Sequence, residues 1–209
     1  MGKRKILVLA TLGVALLILG ALLFWHKAPP PGQIAFEFAG MPTLGNEGAP
    51  LEFVVFEDLR CGSCRQFSQD VFPEIESHYI ATGKARYTFI PVAFIQGSKR
   101  LANAALAVHA STPHRFFPYL ERLFAEFSDD GATREQLVEL AMQVGGIDLR
   151  FLSHAIATRQ FYGELDRNLK MAKKTLGNDF GTPALYVNGF PLPTRSFEAL
   201  EKKIQKVAP

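Results

Sequence analysis

The 209-residue chain predicts an α/β domain, a strand–helix–strand half and a hairpin–helix half separated by a helical block, preceded by one N-terminal transmembrane helix. Three features of the sequence carry the domain's expectation. Leu51 to Phe56 is nearly all apolar with adjacent Val54 and Val55, the pattern of a strand buried on both faces. Cys61-Gly62-Ser63-Cys64 follows after a short turn and opens a helical pattern. From Ser98 to Gly177 the periodicity is helical, and strand patterning returns only at Ala184.

Taken in order, Ile6 to Trp25 is apolar apart from Thr11. At about 1.5 Å per residue it spans roughly 30 Å, a bilayer core. Lys3, Arg4 and Lys5 precede it, so the N-terminus stays in the cytoplasm and the rest is sent across. A cleaved signal peptide, giving a secreted protein, is the alternative. Its apolar region would run about 7–15 residues to a small-x-small site, and Leu19-Gly20-Ala21 is a poor one. No cysteine follows to carry a lipid. The expected division is a cytoplasmic tail at 1–5, a signal-anchor at 6–25, a tether with the first strand at 26–48 and the folded α/β domain at 49–209. Either way the thiols meet an oxidising, extracytoplasmic environment. The net charge of +3, with no long basic run, argues against nucleic acid, and 48% hydrophobic content with 18 Phe suffices for a core.

Pro29 to Gly32 reads as a stiff tether, and Ile34, Phe36 and Phe38 alternate as a strand should. Gly40 to Pro50 is rich in turn residues. On the helix opened at Cys61, the residues Cys64, Phe67, Val71, Ile75 and His78 form one inward stripe, with a kink at Pro73. Lys84 to Phe94 is the next strand, parallel to the first through the crossover. The helical block breaks at Thr112-Pro113, Ser128 to Gly131 and Gly145-Gly146. Thr133 with Gln136 forms a capping box, Asp148 caps the next helix, and Gly177 stops the last. Asn188-Gly189 turns a hairpin between Ala184–Val187 and Phe190–Leu192. Ser196 then caps a helix turning Phe197, Leu200, Ile204 and Val207 inward.

Cys61 and Cys64 are the only cysteines. A thiolate at a helix N-terminus is stabilised by unpaired backbone N–H groups and the helix dipole, and Arg60 and Arg65 add positive charge. Cys61 is therefore the candidate nucleophile, and the shielded Cys64 the candidate resolving thiol. A structural disulfide closing so short a loop would stabilise little. Structural zinc usually takes four ligands, and no second cysteine pair exists. His78, His109, His114 and His154 are scattered, so no metal site is expected.

Further motifs surround this pair: Leu44-Gly45-Asn46, Ala49-Pro50, Asp58 three residues before Cys61, Gly181-Thr182-Pro183 and Val187-Asn188-Gly189. In that order and spacing, over about residues 44 to 207, the chain resembles the DsbA-like thioredoxin-fold disulfide oxidoreductases, in the branch often membrane-tethered in bacteria. The resemblance implies a thioredoxin-like fold with a helical insertion at about 98–177. It also implies a cis bond before Pro183, and a Thr182–Pro183 loop that lies against the cysteines and pairs with an extended substrate strand. Two departures stand out. The acid that family members carry six residues before the nucleophile is Val55 here. Glu57, on the same strand face, is either its substitute or a solvated strand end. Glu57, Asp58 and Arg60 are thus the candidate proton-transfer or pKa-tuning residues. The second departure is Gly62-Ser63, which matches neither the Pro-His of strong oxidants nor the Gly-Pro of thioredoxins. The expected activity is protein thiol–disulfide exchange without metal or organic cofactor, first as an oxidase introducing disulfides. A reductase, for instance in cytochrome maturation, is the alternative, and a copper-binding or chaperone protein a more distant one. The partners implied are client proteins with thiols or disulfides, the membrane through residues 6–25, and a membrane or soluble protein that restores the redox state.

Overall fold

The computed structural model describes residues 2, 12–18, 20, 33–36, 39–127 and 132–207. The chain divides into two units, residues 1–35 and 36–209. In the first, residues 12–18 and 20 are helical and exposed. The rest of the expected anchor at 6–25 lies outside the described residues. Among those that are described, no helix is long and apolar enough to cross a membrane.

The second unit is built on a five-stranded sheet of β1 (Thr43–Gly45), β2 (Leu51–Glu57), β3 (Ala85–Pro91), β4 (Ala184–Val187) and β5 (Phe190–Leu192). Their spatial order is β1-β3-β2-β4-β5. β2 runs parallel to β3, with Val55 opposite Phe89, and antiparallel to β4, with Val55 opposite Leu185. As the apolar run requires, β2 is covered on both sides. Phe53 and Val55 enter the large core, and Val54 and Phe56 enter a second one with Ile90, Val92 and Ala172. The hairpin turns on Asn188 and Gly189, both at positive φ (47° and 79°). The Asn188 amide also ties the turn back to the start of β2, its Oδ1 accepting from the Glu52 N–H at 2.8 Å.

The helices are α1 (Gly62–Asp70), α2 (Phe72–Ile75), α3 (Ser98–Ser111), α4 (Phe116–Phe127), α5 (Arg134–Val144), α6 (Leu149–Thr158), α7 (Tyr162–Leu176) and α8 (Phe197–Val207). The insertion α3–α7 shares the large core with the sheet and α1. It meets α2, directly after the helix that follows Cys61, where Phe117 stacks on Phe72, ring centres 6.3 Å apart. Thr133 and Gln136 form the expected capping box, and Asp148 accepts from two N–H groups of α6. Replacing Thr133 by Ala should therefore cost about 1 kcal/mol, seen as a Tm lower by roughly 2–4 °C; an unchanged Tm would remove the cap from the stability of the insertion.

Two expectations need correction. Gln33 to Phe36 forms no strand, and residues 37 and 38 lie outside the described set. Phe36 instead plugs its ring between Phe56 and Tyr186, at 5.4 and 5.0 Å. The first strand is β1, inside the stretch read as turns, pairing antiparallel with β3. It depends on Gly45, at φ 84°, where a Cβ would stand 2.3 Å from the Ala85 carbonyl oxygen. His78 does not continue the inward stripe. The helix breaks at Val71 as Pro73 requires, then widens into a π-turn over Glu76–Ile80. The wider turn rotates the later residues, so Ile80 is buried while the His78 side chain is 54% exposed.

Candidate active site

β2 delivers the chain to the site. Past its end, Asp58 is fully buried, and its carboxylate accepts from the N–H groups of Arg60, Phe94 and Ile95 and from the Ser98 hydroxyl, at 2.9–3.1 Å. These bonds clamp the turn before Cys61 to the loop after β3. The Arg60 guanidinium crosses to the same loop, donating to the Gln96 carbonyl. Asp58 and Arg60, expected near the thiols as tuning groups, are thus both engaged with this loop.

Cys61 is the N-cap of α1, with extended backbone (φ −84°, ψ 117°), and its carbonyl accepts from the N–H groups of Cys64 and Arg65 at 3.0 Å each. Cys61 is partly exposed, whereas Cys64, one turn on, is fully buried. The Thr182–Pro183 bond is cis, and the Cys61 thiol donates to the Thr182 carbonyl at 3.3 Å. Residues at the two ends of the domain therefore meet at this sulfur.

The two thiols differ in acidity. Cys61 is lowered to about 5, first by a hydrogen bond from the Cys64 thiol. Partial burial opposes this, while Thr182 and the N–H groups of Cys64 and Ser63 add to it. Cys64 is pushed far up, first by burial, then by its bond to Cys61 and by the charge of Glu57.

Glu57 is no solvated strand end. It is 2% exposed, and burial holds its carboxyl well above the usual carboxylate range. The Tyr87 hydroxyl donates to one of its oxygens at 3.4 Å; the other is buried without a hydrogen-bond partner among the described residues. The carboxyl lines a cavity of about 430 Å³, walled also by Tyr87, Phe72, Glu76, Phe117 and Glu121. The sequence pattern gives no role to Tyr87, which lies within the strand expected over Lys84 to Phe94. Its one signal is the register, since β3 runs beside β2 and turns Tyr87 to the face that carries Val55 and Glu57. No group of three or more His, Cys, Asp or Glu side chains among the described residues is placed to hold a metal ion.

Comparison with known proteins agrees with this geometry. The profile of the family described as "Thioredoxin" matches residues 39–206. "Disulfide bond formation protein D" of Bacillus subtilis is 31% identical over 153 residues, covering 71% of this chain and 68% of that protein. "Probable disulfide bond formation protein D" of Bacillus anthracis is 24% identical over 91% of this chain and 90% of its own. Among solved structures, DsbA of Chlamydia trachomatis superposes with a TM-score of 0.75 at 30% identity, over 86% of this chain and 97% of the other. Oxidised BdbD of Bacillus subtilis gives 0.75 at 28% identity, over 84% and 95%. The chain belongs to the thioredoxin family, as a DsbA-like protein thiol–disulfide oxidoreductase.

Proposed function

We propose that this protein is an extracytoplasmic oxidase, held at the membrane by residues 6–25, that introduces disulfides into client proteins through Cys61 and Cys64. The observation that carries this is the split between the sulfurs, Cys61 lowered to about 5 and Cys64 raised by burial. A stabilised thiolate favours the reduced protein, which makes its disulfide a strong oxidant. The names of the Bacillus relatives, which are disulfide bond formation proteins, support the same direction.

A client thiolate attacks Cys61 Sγ of the oxidised pair. A client–Cys61 disulfide forms, the Cys61–Cys64 bond breaks, and Cys64 leaves with the electron pair. A second client thiolate then attacks the client sulfur of that mixed disulfide, and Cys61 leaves as its stabilised thiolate. The client has lost two electrons and the pair has gained them, so a membrane or soluble redox partner must take them away. Thr182 and Pro183, set against Cys61, hold the client backbone at the sulfur. Glu57 exchanges the proton of Cys64, while Asp58 and Arg60 act by holding the loop at 93–97 in place.

The reduction potential tests the direction: a value near about −120 mV supports the oxidase, and one near about −270 mV makes the protein a reductase. The same balance sets stability. Folded Cys61, at about 5, lies below its unfolded value of about 8.5. The thiolate's contribution to the reduced form is thus complete above about pH 8.5, shrinks as pH falls, and is gone below about 5. Unfolding both redox forms across that range should show the reduced domain more stable at neutral pH, by a margin that closes towards pH 5. A more stable oxidised form at neutral pH would reverse the proposed direction.

A further inference from the structure

The geometry points to a second client contact: a cationic cleft on the loop that Arg60 holds, which selects acidic sequence flanking the reacting client cysteine. This rests on Cys61 being the residue that bonds to clients. The cleft, about 770 Å³, lies between the loop at 93–97, the start of α3, residues 132–136 and the turn from Arg159 to Tyr162, and its charged lining is Lys99, Arg100 and Arg159. No carboxylate is among the described residues that line it. Among the nearby described acids, Asp166 pairs with Lys99 at 2.5 Å, which leaves Arg100 and Arg159 to carry the cleft's net charge, and the buried Asp58 is used by its four donors.

Three details show positive charge concentrated against local preference. α3 begins on Gly97 without a side-chain cap and has no acid in its first turn, which instead holds Lys99 and Arg100. Such a helix start favours anions over cations. Lys99 and Arg159 both stand over the one ring of Tyr162, at 5.6 and 5.8 Å. Arg159 takes a left-handed backbone (φ 56°, ψ 40°) that glycine or asparagine adopts more readily.

The loop ties this charge to the sulfur. Arg60, next to Cys61, is bonded to Gln96, and Asp58 holds Phe94 and Ile95. Phe94 is 45% exposed and lies edge-on to Phe180 at 5.6 Å, just before Thr182 in the chain. A client chain leaving Cys61 along this loop passes the exposed Phe94, which lines the cleft together with the cations. Carboxylate side chains of a polypeptide complement those cations, and the client is the molecule that Cys61 itself brings there.

The test reacts the oxidised protein with single-cysteine peptides flanked by short runs of Glu, Ser or Lys. Glu peptides should react on the order of tenfold faster than Ser peptides at low salt, with the advantage shrinking at high salt. R100E/R159E should bring the Glu peptides to or below the Ser rate and leave the Ser rate unchanged. R100Q/R159N, with asparagine suited to the backbone at 159, should remove the preference without reversing it. The same preference in both variants would assign it to charge around Cys61 and overturn the cleft. So would equal rates for all peptides, or phosphatidylglycerol vesicles that bind through Arg100 and Arg159 with no peptide selectivity. A wild-type protein inert towards every peptide would overturn the role of Cys61 and the cleft with it.

Discussion

Cys64→Ser should accumulate mixed disulfides between Cys61 and client proteins, and Cys61→Ser should leave neither exchange nor adducts. The asymmetry follows from what each sulfur does. At pH 7 a thiol lowered to about 5 is about 99% thiolate, against about 3% for an unperturbed cysteine. Cys61 is thus both the better leaving group and the sulfur a client can reach, while Cys64 can only act from within. Without Cys64 the internal disulfide cannot form. The Cys61 thiolate instead attacks a client disulfide, and one client sulfur leaves as a thiolate. With no internal thiol to displace it, the adduct persists while oxidative turnover falls to background. Because the Cys64 thiol is the largest cause of the low Cys61 value, the choice of replacement matters. A serine hydroxyl can still donate to Cys61, whereas an alanine cannot. Thiolate absorbance at 240 nm should give a low midpoint in Cys64→Ser and a clearly higher one in Cys64→Ala. Equal midpoints would place the stabilisation in the helix N-terminus alone. Adducts formed through Cys64 in Cys61→Ser would reverse the roles.

What the sequence revealed was local. The capping box of Thr133 and Gln136, the stop at Gly177 and the Asn188-Gly189 turn are each decided by residues within a few positions. The crossover unit followed from two apolar runs flanking a helix. β1 was hidden because three residues show no period, and what makes it a strand is Gly45 fitting against the distant Ala85 backbone. His78 misled because period reading assumes one helical pitch, and the π-turn changes it. At the site, the cysteine pair was legible from spacing, and its contact with Thr182 from family resemblance. The Asp58 clamp and the Glu57–Tyr87 pair were not, since both join positions 30 or more residues apart. Glu57 shows the limit well: the alternation rule gave its face, but only the tertiary packing decided that this strand end is buried.

Glu57→Gln should slow the steps in which Cys64 gains or loses a proton by on the order of 10², while making the reduced domain more stable. Each time Cys64 leaves as a thiolate, burial and the Glu57 charge drive it to take up a proton. Each time it attacks, it must lose one. Glu57, with its raised carboxyl value, one oxygen without a hydrogen-bond partner among the described residues and a cavity of about 430 Å³ beside it, is the group proposed to make that transfer and to exchange with solvent. Glutamine keeps the shape and can still accept from Tyr87, but cannot titrate. The stability sign is the opposite of the Cys61 case. The folded value of Glu57 lies above its unfolded value of about 4.3, so its burial destabilises the fold increasingly as pH rises above that point. Wild type and Glu57→Gln should therefore unfold alike near pH 4, and the variant should be the more stable of the two at neutral pH. Reoxidation rates followed with pH should lose the limb that belongs to the carboxyl. A variant that exchanges at the wild-type rate with an unchanged pH profile would leave Glu57 without a part in the chemistry. One that is slower with an unchanged profile would make it a packing residue beneath the sulfurs.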